Sequence, residues 1–340
     1  MFLLVTVSSS HAVDAPAARR AALLAALRGL IARHAGRDER TAIDGVLLSA
    51  VTRPGEPAAS RSGTVLAVIA QGAKRLALGD RTYDYGPGQY LVASVDLPVT
   101  GHFTHASDTE PALGFGLVLR PATIASLVLE ARDARGWRPR RRGGSAAAPS
   151  ALGVADASAE LLDAVVRMVG LLDADPADRA VLAPLVEREI LWRLVTGPLG
   201  ATVTESALAD GSVAQISRAV RWINDRYRER FRVADLARSC GMSTSAFHRT
   251  FQAVTAMSPI QYQKSIRLQE ARLRLMGNPG DVAGAAFAVG YESPSQFSRE
   301  YRRQFGAPPS RDVAQLLRTM GPGYAEVARP PRPTAVPVQG

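Results

Sequence analysis

Two stretches in the last third of the chain repeat one pattern, and that repeat constrains the fold more than any other feature. The first is VADLARSCGMSTSAFHRTF, Val233 to Phe251, and the second is VAGAAFAVGYESPSQFSREY, Val282 to Tyr301. In each, a small-residue helix runs into a glycine, Gly241 or Gly290. Glycine accepts the left-handed backbone that stops a helix abruptly. Ser243 and Ser293 follow as candidate N-caps. At the second site, Ser293-Pro294-Ser295-Gln296 predicts proline in the first helical position and Gln296 closing a capping box. The helix after each cap carries an aromatic pair at i, i+4: Phe247 with Phe251, and Phe297 with Tyr301. That spacing puts both rings on one face, which must be the buried one. The opposite face then shows Ser245, His248 and Arg249 in the first copy. In the second it shows Ser295, Gln296, Arg299 and Arg303. Such side chains reach base edges and phosphates of duplex DNA. Taken singly, either face reads equally well as ordinary solvated surface. Two copies with matching glycine, cap and aromatic positions favour two helix-turn-helix units, each with a recognition helix.

Between the repeats lies SPIQYQKSIRLQEARLRLM, Ser258 to Met276, in which Tyr262, Ile266 and Leu273 share one face. This predicts a continuous helix roughly 27 Å long. Successive major grooves on one side of a duplex are about 34 Å apart, so such a helix could space two readers, with some bending of the DNA. Charge agrees with this reading. Of the net +10, the segment from Ser212 to Asp312 carries +8, from sixteen Arg or Lys against eight Asp or Glu. A basic excess confined to one region is the footprint of a polyanionic partner, and on charge alone it reads equally well as a solvated basic surface.

The upstream sequence has a different texture. Residues 15–40 are rich in Ala, Leu and Arg at helical spacing (Leu23, Leu24, Leu27, Leu30, Ile31) and predict an amphipathic helix. From Gly45 to Leu119, short apolar runs alternate with turn signals such as RPGEP, QGAK and YGPGQ. This predicts an all-β barrel or sandwich. Residues 135–151 read as a linker. Two helical stripes follow, one on Leu161, Leu162, Val165, Val166, Val169 and Leu172, the other on Leu185, Ile190, Leu191 and Leu194 after Pro184. These helices could bridge to the basic region or serve in dimerisation. The last twenty residues are Pro-rich and predict disorder.

The motifs MSTSAFHRTF, SPIQYQKSIRLQEAR and VGYESPSQFSREYRRQFGAPPSRD resemble the AraC-type (AraC/XylS) transcription regulators. QGAKRLALGD, YDYGPGQYLVASVDLPVTG and LAPLVEREILWRLVTGPLG extend the resemblance to the subgroup with an AraC-type N-terminal regulatory domain. The match covers about residues 45–315. It implies an α+β chain: a cupin-like regulatory β-barrel with an N-terminal helix over 1–135, and a linker with connector helices over 136–207. An all-α double helix-turn-helix domain over 208–318 and a disordered tail over 319–340 complete it. By position, Ser245, His248 and Arg249 fall where the family's first recognition helix meets DNA, and Ser295, Gln296 and Arg299 where the second does. Thr244 and Ser245 are short, so His248 and Arg249 are expected to do most of the first helix's work. The implied partners are double-stranded DNA, a small-molecule effector in the barrel, RNA polymerase for an activator, and a second copy in a homodimer.

Other chemistry is weaker. A metal-bearing cupin enzyme fused to a DNA-binding module is the main rival, and an unspecific nucleoid-type binder is another. In the β region only His102 and His105, with Glu110 nearby, suggest a metal. Residues three apart on a strand point to opposite faces, so surface histidines are the expectation, with no metal, no cofactor and no catalytic residues. Tyr83, Tyr85 and Tyr90 could line a ligand pocket, although packing is the more common role for strand aromatics. Cys240, the single cysteine, excludes an internal disulfide and reads as core. The opening FLLVTV is six residues long with no basic residue before it, which argues against a signal peptide. No run approaches the roughly 20 apolar residues of a membrane span. A cytoplasmic protein is expected.

Overall fold

The computed structural model describes residues 15–36, 38–135, 150–207 and 212–320. The opening FLLVTV, most of the linker and the Pro-rich tail beyond 320 lie outside the described residues. The chain divides into two compact units. One runs to Arg218 and takes in Arg249–Ala256, and the other holds Ala219–His248 and the residues from Met257 on.

The first unit begins with helix α1 (Ala15–His34). Eight strands follow: β1 (Val46–Val51), β2 (Ala58–Arg61), β3 (Val65–Gln71), β4 (Ala73–Leu78), β5 (Arg81–Tyr85), β6 (Gln89–Ala93), β7 (Pro98–His105) and β8 (Ala112–Val118). Then come α2 (Pro121–Arg135), β9 (Leu152–Asp156), α3 (Ala159–Gly170), α4 (Pro176–Thr196) and α5 (Gly200–Ala207). The expected β-barrel is realised as two antiparallel sheets that do not close. One has the order β1-β8-β3-β6-β9, the other β2-β7-β4-β5. β9 was not anticipated. It lies in the stretch read as linker and connector, yet it pairs with β6 from Gln89↔Asp156 to Ala93↔Leu152.

One apolar core joins α1, the five-stranded sheet, α3 and α4. Leu24, Leu27 and Ile31 enter it from α1, and Leu48, Val68, Tyr90 and Phe115 from the sheet. Leu161, Leu162, Val165 and Val169 come from α3, and Ile190, Leu191 and Leu194 from α4. The helices read as connectors are thus part of the first unit's core. α4 continues through Pro184, and Leu185, assigned to its buried stripe, is 60% exposed. Periodicity identified its direction but not the absence of a neighbour there.

The remaining described residues form helices: α6 (Ser212–Asp225), α7 (Val233–Ser239), α8 (Thr244–Thr255), α9 (Pro259–Gly277), α10 (Val282–Ala288), α11 (Pro294–Phe305) and α12 (Pro309–Met320). The repeat is visible in the backbone. Gly241 and Gly290 have φ of 73° and 89°. The amides of Met242 and Tyr291 each donate to a carbonyl five residues back, Ala237 and Ala286, both at 3.0 Å. Phe247, Phe251, Phe297 and Tyr301 are fully buried. α9 is continuous, as expected; Tyr262 and Ile266 are buried and Leu273 is 41% exposed. Among the described residues no helix is long and apolar enough to cross a membrane.

Candidate nucleic-acid interface

α8 and α11 are each started by a serine. Ser243 Oγ accepts from the Ala246 amide, and Ser293 Oγ from the Gln296 amide, both at 3.3 Å. Pro294 occupies the first turn of α11, where a missing N–H costs nothing. With the aromatic pairs turned inward, Ser245, His248 and Arg249 on α8 are exposed. So are Ser295, Gln296, Arg299 and Arg303 on α11.

The expected capping box at Ser293 is only half made. Gln296 does not return to the Ser293 amide. Its Nε2 instead donates to Glu300 Oε1 at 3.1 Å, one turn further along α11. The reciprocal box forms elsewhere, at the start of α9, where Gln261 Oε1 accepts from the Ser258 amide at 2.9 Å. The difference is electrostatic. Glu300, a carboxylate four residues on, draws the Gln296 amide N–H along the helix and away from the cap, whereas the residue four on from Gln261 is the neutral Ser265.

Glu300 also accepts from Lys264 Nζ and from Tyr291 Oη, both at 2.8 Å. Burial pushes its pKa up. The donors Lys264, Gln296 and Tyr291 outweigh that and hold it below the usual carboxylate range. Burial, then the bond to Glu300, pushes the Tyr291 phenol well above its ordinary range. The Glu300 carboxylate is therefore ionised near neutrality, and it joins α11 to α9 and to the turn before α11.

A second polar group ties the loop before the first repeat, and the turn of the second, to α9. Arg267 Nε donates to the Tyr227 carbonyl at 2.6 Å, and Nη1 to the Gly290 carbonyl at 3.0 Å. Nη2 donates to the carbonyls of Arg228 at 3.0 Å and Glu229 at 3.1 Å. One guanidinium thus ties the segment leading into the first repeat to the turn of the second. Burial lowers its pKa from the ordinary arginine value. At Gly290 an added Cβ would lie 2.4 Å from the Arg228 carbonyl oxygen, so this approach needs glycine for space as well as for φ.

Sequence reasoning singled out neither Glu300 nor Arg267. The i, i+4 spacing of Gln296 and Glu300 was available as a signal. Arg267 had none, because its partners are backbone carbonyls distant in sequence.

The other candidates are dispersed. His102 and His105 both lie on β7, with His105 exposed and its Nδ1 3.0 Å from Thr104 Oγ1. Glu110 is exposed. Among the described residues no three His, Cys, Asp or Glu side chains gather as metal ligands. Tyr85 and Tyr90 are buried, and burial raises both phenol pKa values. Cys240 is buried, as expected of a core thiol.

Residues 42–202 match the family described as AraC-type transcriptional regulator N-terminus, and residues 236–315 match a helix-turn-helix domain. The HTH-type transcriptional regulator ExsA of Pseudomonas aeruginosa is 28% identical over 131 residues, 38% of this chain and 47% of that protein. The HTH-type transcriptional activator RhaS of Salmonella agona is 29% identical over 159 residues, 46% of this chain and 55% of that protein. The chain therefore spans about half the length of the curated relatives it matches. Among solved structures, ToxT from Vibrio cholerae is 13% identical, with a TM-score of 0.49 over 80% of this chain and 98% of that one. The two adjoining matches, regulatory half and helix-turn-helix half, make this chain a member of the AraC-type transcription regulators.

Proposed function

We propose that the protein is a sequence-specific DNA-binding transcription regulator that reads two successive major grooves with α8 and α11. The observation that carries this reading is the repeated geometry. Two capped helices each bury an aromatic pair and turn out a face of Ser, His, Gln and Arg side chains. Arg299 and Arg303 offer phosphate or guanine contacts, and His248 and Gln296 offer base-edge contacts. α9, with 19 residues, spans about 28 Å, which suits two readers near the groove repeat of about 34 Å. In this reading the N-terminal two-sheet domain gates presentation of the readers, in response to a small-molecule effector held there. A homodimer, a contact with RNA polymerase during activation and a cytoplasmic location belong to the same proposal.

Hydroxyl-radical footprinting of the full chain on a selected duplex tests it. Two protected patches about one helical turn apart on one face are expected. His248→Ala should relax base preference under one patch only, and Arg299→Ala should weaken contacts under the other only. A single patch, or equal loss across all sequences for both variants, overturns the two-reader account.

A further inference from the structure

The bond between Gln296 and Glu300 bears on which base α11 selects, and it rests on the reading of α11 as a recognition helix. An amide side chain is ambidextrous. It can offer its oxygen to a base that donates or its NH2 to a base that accepts, and rotation exchanges the two. In the major groove adenine and cytosine present an exocyclic amine, whereas guanine and thymine present a carbonyl oxygen. An unrestrained glutamine therefore discriminates poorly between the two classes.

Gln296 is restrained. Its Nε2 is 3.1 Å from Glu300 Oε1, and an ionised carboxylate only accepts hydrogen bonds. Turning the amide over would set Oε1 against that carboxylate, oxygen against oxygen. Glu300 cannot swing aside to allow it, because Lys264 and Tyr291 hold it from α9 and from the turn before α11, both at 2.8 Å. Tyr291 is itself buried, with its ring 5.3 Å from that of Phe297 in an edge-on contact. The orientation of an exposed side chain is thus set by groups anchored in the core.

We propose that Glu300 is a specificity-positioning residue: it turns Gln296 Nε2 inward and leaves Oε1 as the acceptor offered to DNA. On the strand it contacts, α11 then selects adenine or cytosine over guanine or thymine. Adenine adds N7 as a partner for the remaining N–H of the amide.

The test uses the full chain and a duplex selected from a randomised library. Gln296→Ala locates the base pair concerned, as the position where discrimination collapses. Four duplexes carrying A, C, G or T on the contacted strand there are then compared. Wild type should favour A and C by about tenfold or more. Glu300→Gln is isosteric but both donates and accepts, so it should bring the four duplexes to within about threefold of one another, because either face of the Gln296 amide becomes available. A separate measurement needs no variant. In wild type, replacing the preferred base by an analogue lacking its exocyclic amine should cost about tenfold. A preference for G or T, or no loss with the analogue, overturns the proposal. So does undiminished discrimination by folded Glu300→Gln. In all three cases the recognition role of α11 stands, provided Gln296→Ala still acts at one position. If Gln296→Ala weakens every duplex alike, the recognition reading fails first and this inference with it.

Discussion

Arg272 on α9 and Asp312 on α12 meet in a two-pronged ion pair, with Nε and Nη2 each 2.7 Å from a carboxylate oxygen. Both side chains are nearly buried, at 12% and 10% exposure. Tyr301 Oη donates to the same carboxylate at 2.7 Å, and the guanidinium sits 4.5 Å from the centre of the Phe305 ring. α12 is therefore fastened to the back of α11, away from its exposed face. Removing one partner strands the other charge. Arg272→Met is expected to cost about 3–5 kcal/mol in urea unfolding. Adding Asp312→Leu should recover a large part of that loss. A double variant no more stable than the single one contradicts this account.

The aromatic and polar faces of α8 and α11 should separate cleanly. Phe247→Ala and Phe297→Ala empty fully buried sites and should each cost about 3–5 kcal/mol. His248→Ala and Ser295→Ala alter exposed positions and should stay within about 0.5 kcal/mol. Chemical denaturation of the four variants checks this, and a large loss in either polar variant would assign that residue to packing.

The two turn glycines should differ in sensitivity. Both need positive φ, so alanine at either costs about 1–2 kcal/mol from backbone strain. Gly290→Ala also drives a methyl against the Arg228 carbonyl, at 2.4 Å, and loosens the Arg267 clamp. It should be clearly the worse of the pair in melting temperature. Equal losses would mean that the loop at Arg228 yields freely.

Arg303→Ala should weaken binding to specific and unspecific duplexes alike. The slope of log K against log salt should flatten by about one unit. An unchanged slope removes Arg303 from the phosphate-contacting set.

Acid should act through Glu300. Its carboxyl is held below the usual carboxylate value in the folded chain, against burial, by Lys264, Gln296 and Tyr291. A depressed folded pKa gives stability that is present above the unfolded value and lost as pH falls through the folded one. The melting-temperature gap between wild type and Glu300→Gln should be widest near neutrality and narrow steadily below the ordinary carboxylate value of 4.5. A gap independent of pH would show that the charge contributes nothing.

What could be read from residues alone followed the range of the forces involved. Caps, turn glycines and i, i+4 aromatic pairs act within a few residues, and Gly241, Gly290, Ser243, Ser293 and the four buried rings were all legible. The seven exposed side chains followed from them by helix geometry. Leu185 was placed on a packing stripe but is exposed because periodicity gives a direction and not a neighbour. The half-made box at Ser293 was misread because the signature names a partner for Gln296 without weighing the carboxylate at Glu300. β9 was missed because LGVAD is short and lies beside small, polar residues. Only its pairing with β6 gives it strand character. Arg267 was invisible because it serves carbonyls that no local pattern marks.

The larger sheet takes its outermost strand from beyond α2, and this matters to anyone who wants the regulatory half alone. A fragment cut at Arg135 would lose residues 152–156 and bare the backbone of Tyr90, Leu91 and Val92 as a raw rim, the kind of edge that recruits neighbouring chains into aggregates. It would also lose the α3 and α4 side chains that share a core with α1. A workable truncation has to extend past Thr196, so the N-terminal half cannot be shortened to its first eight strands.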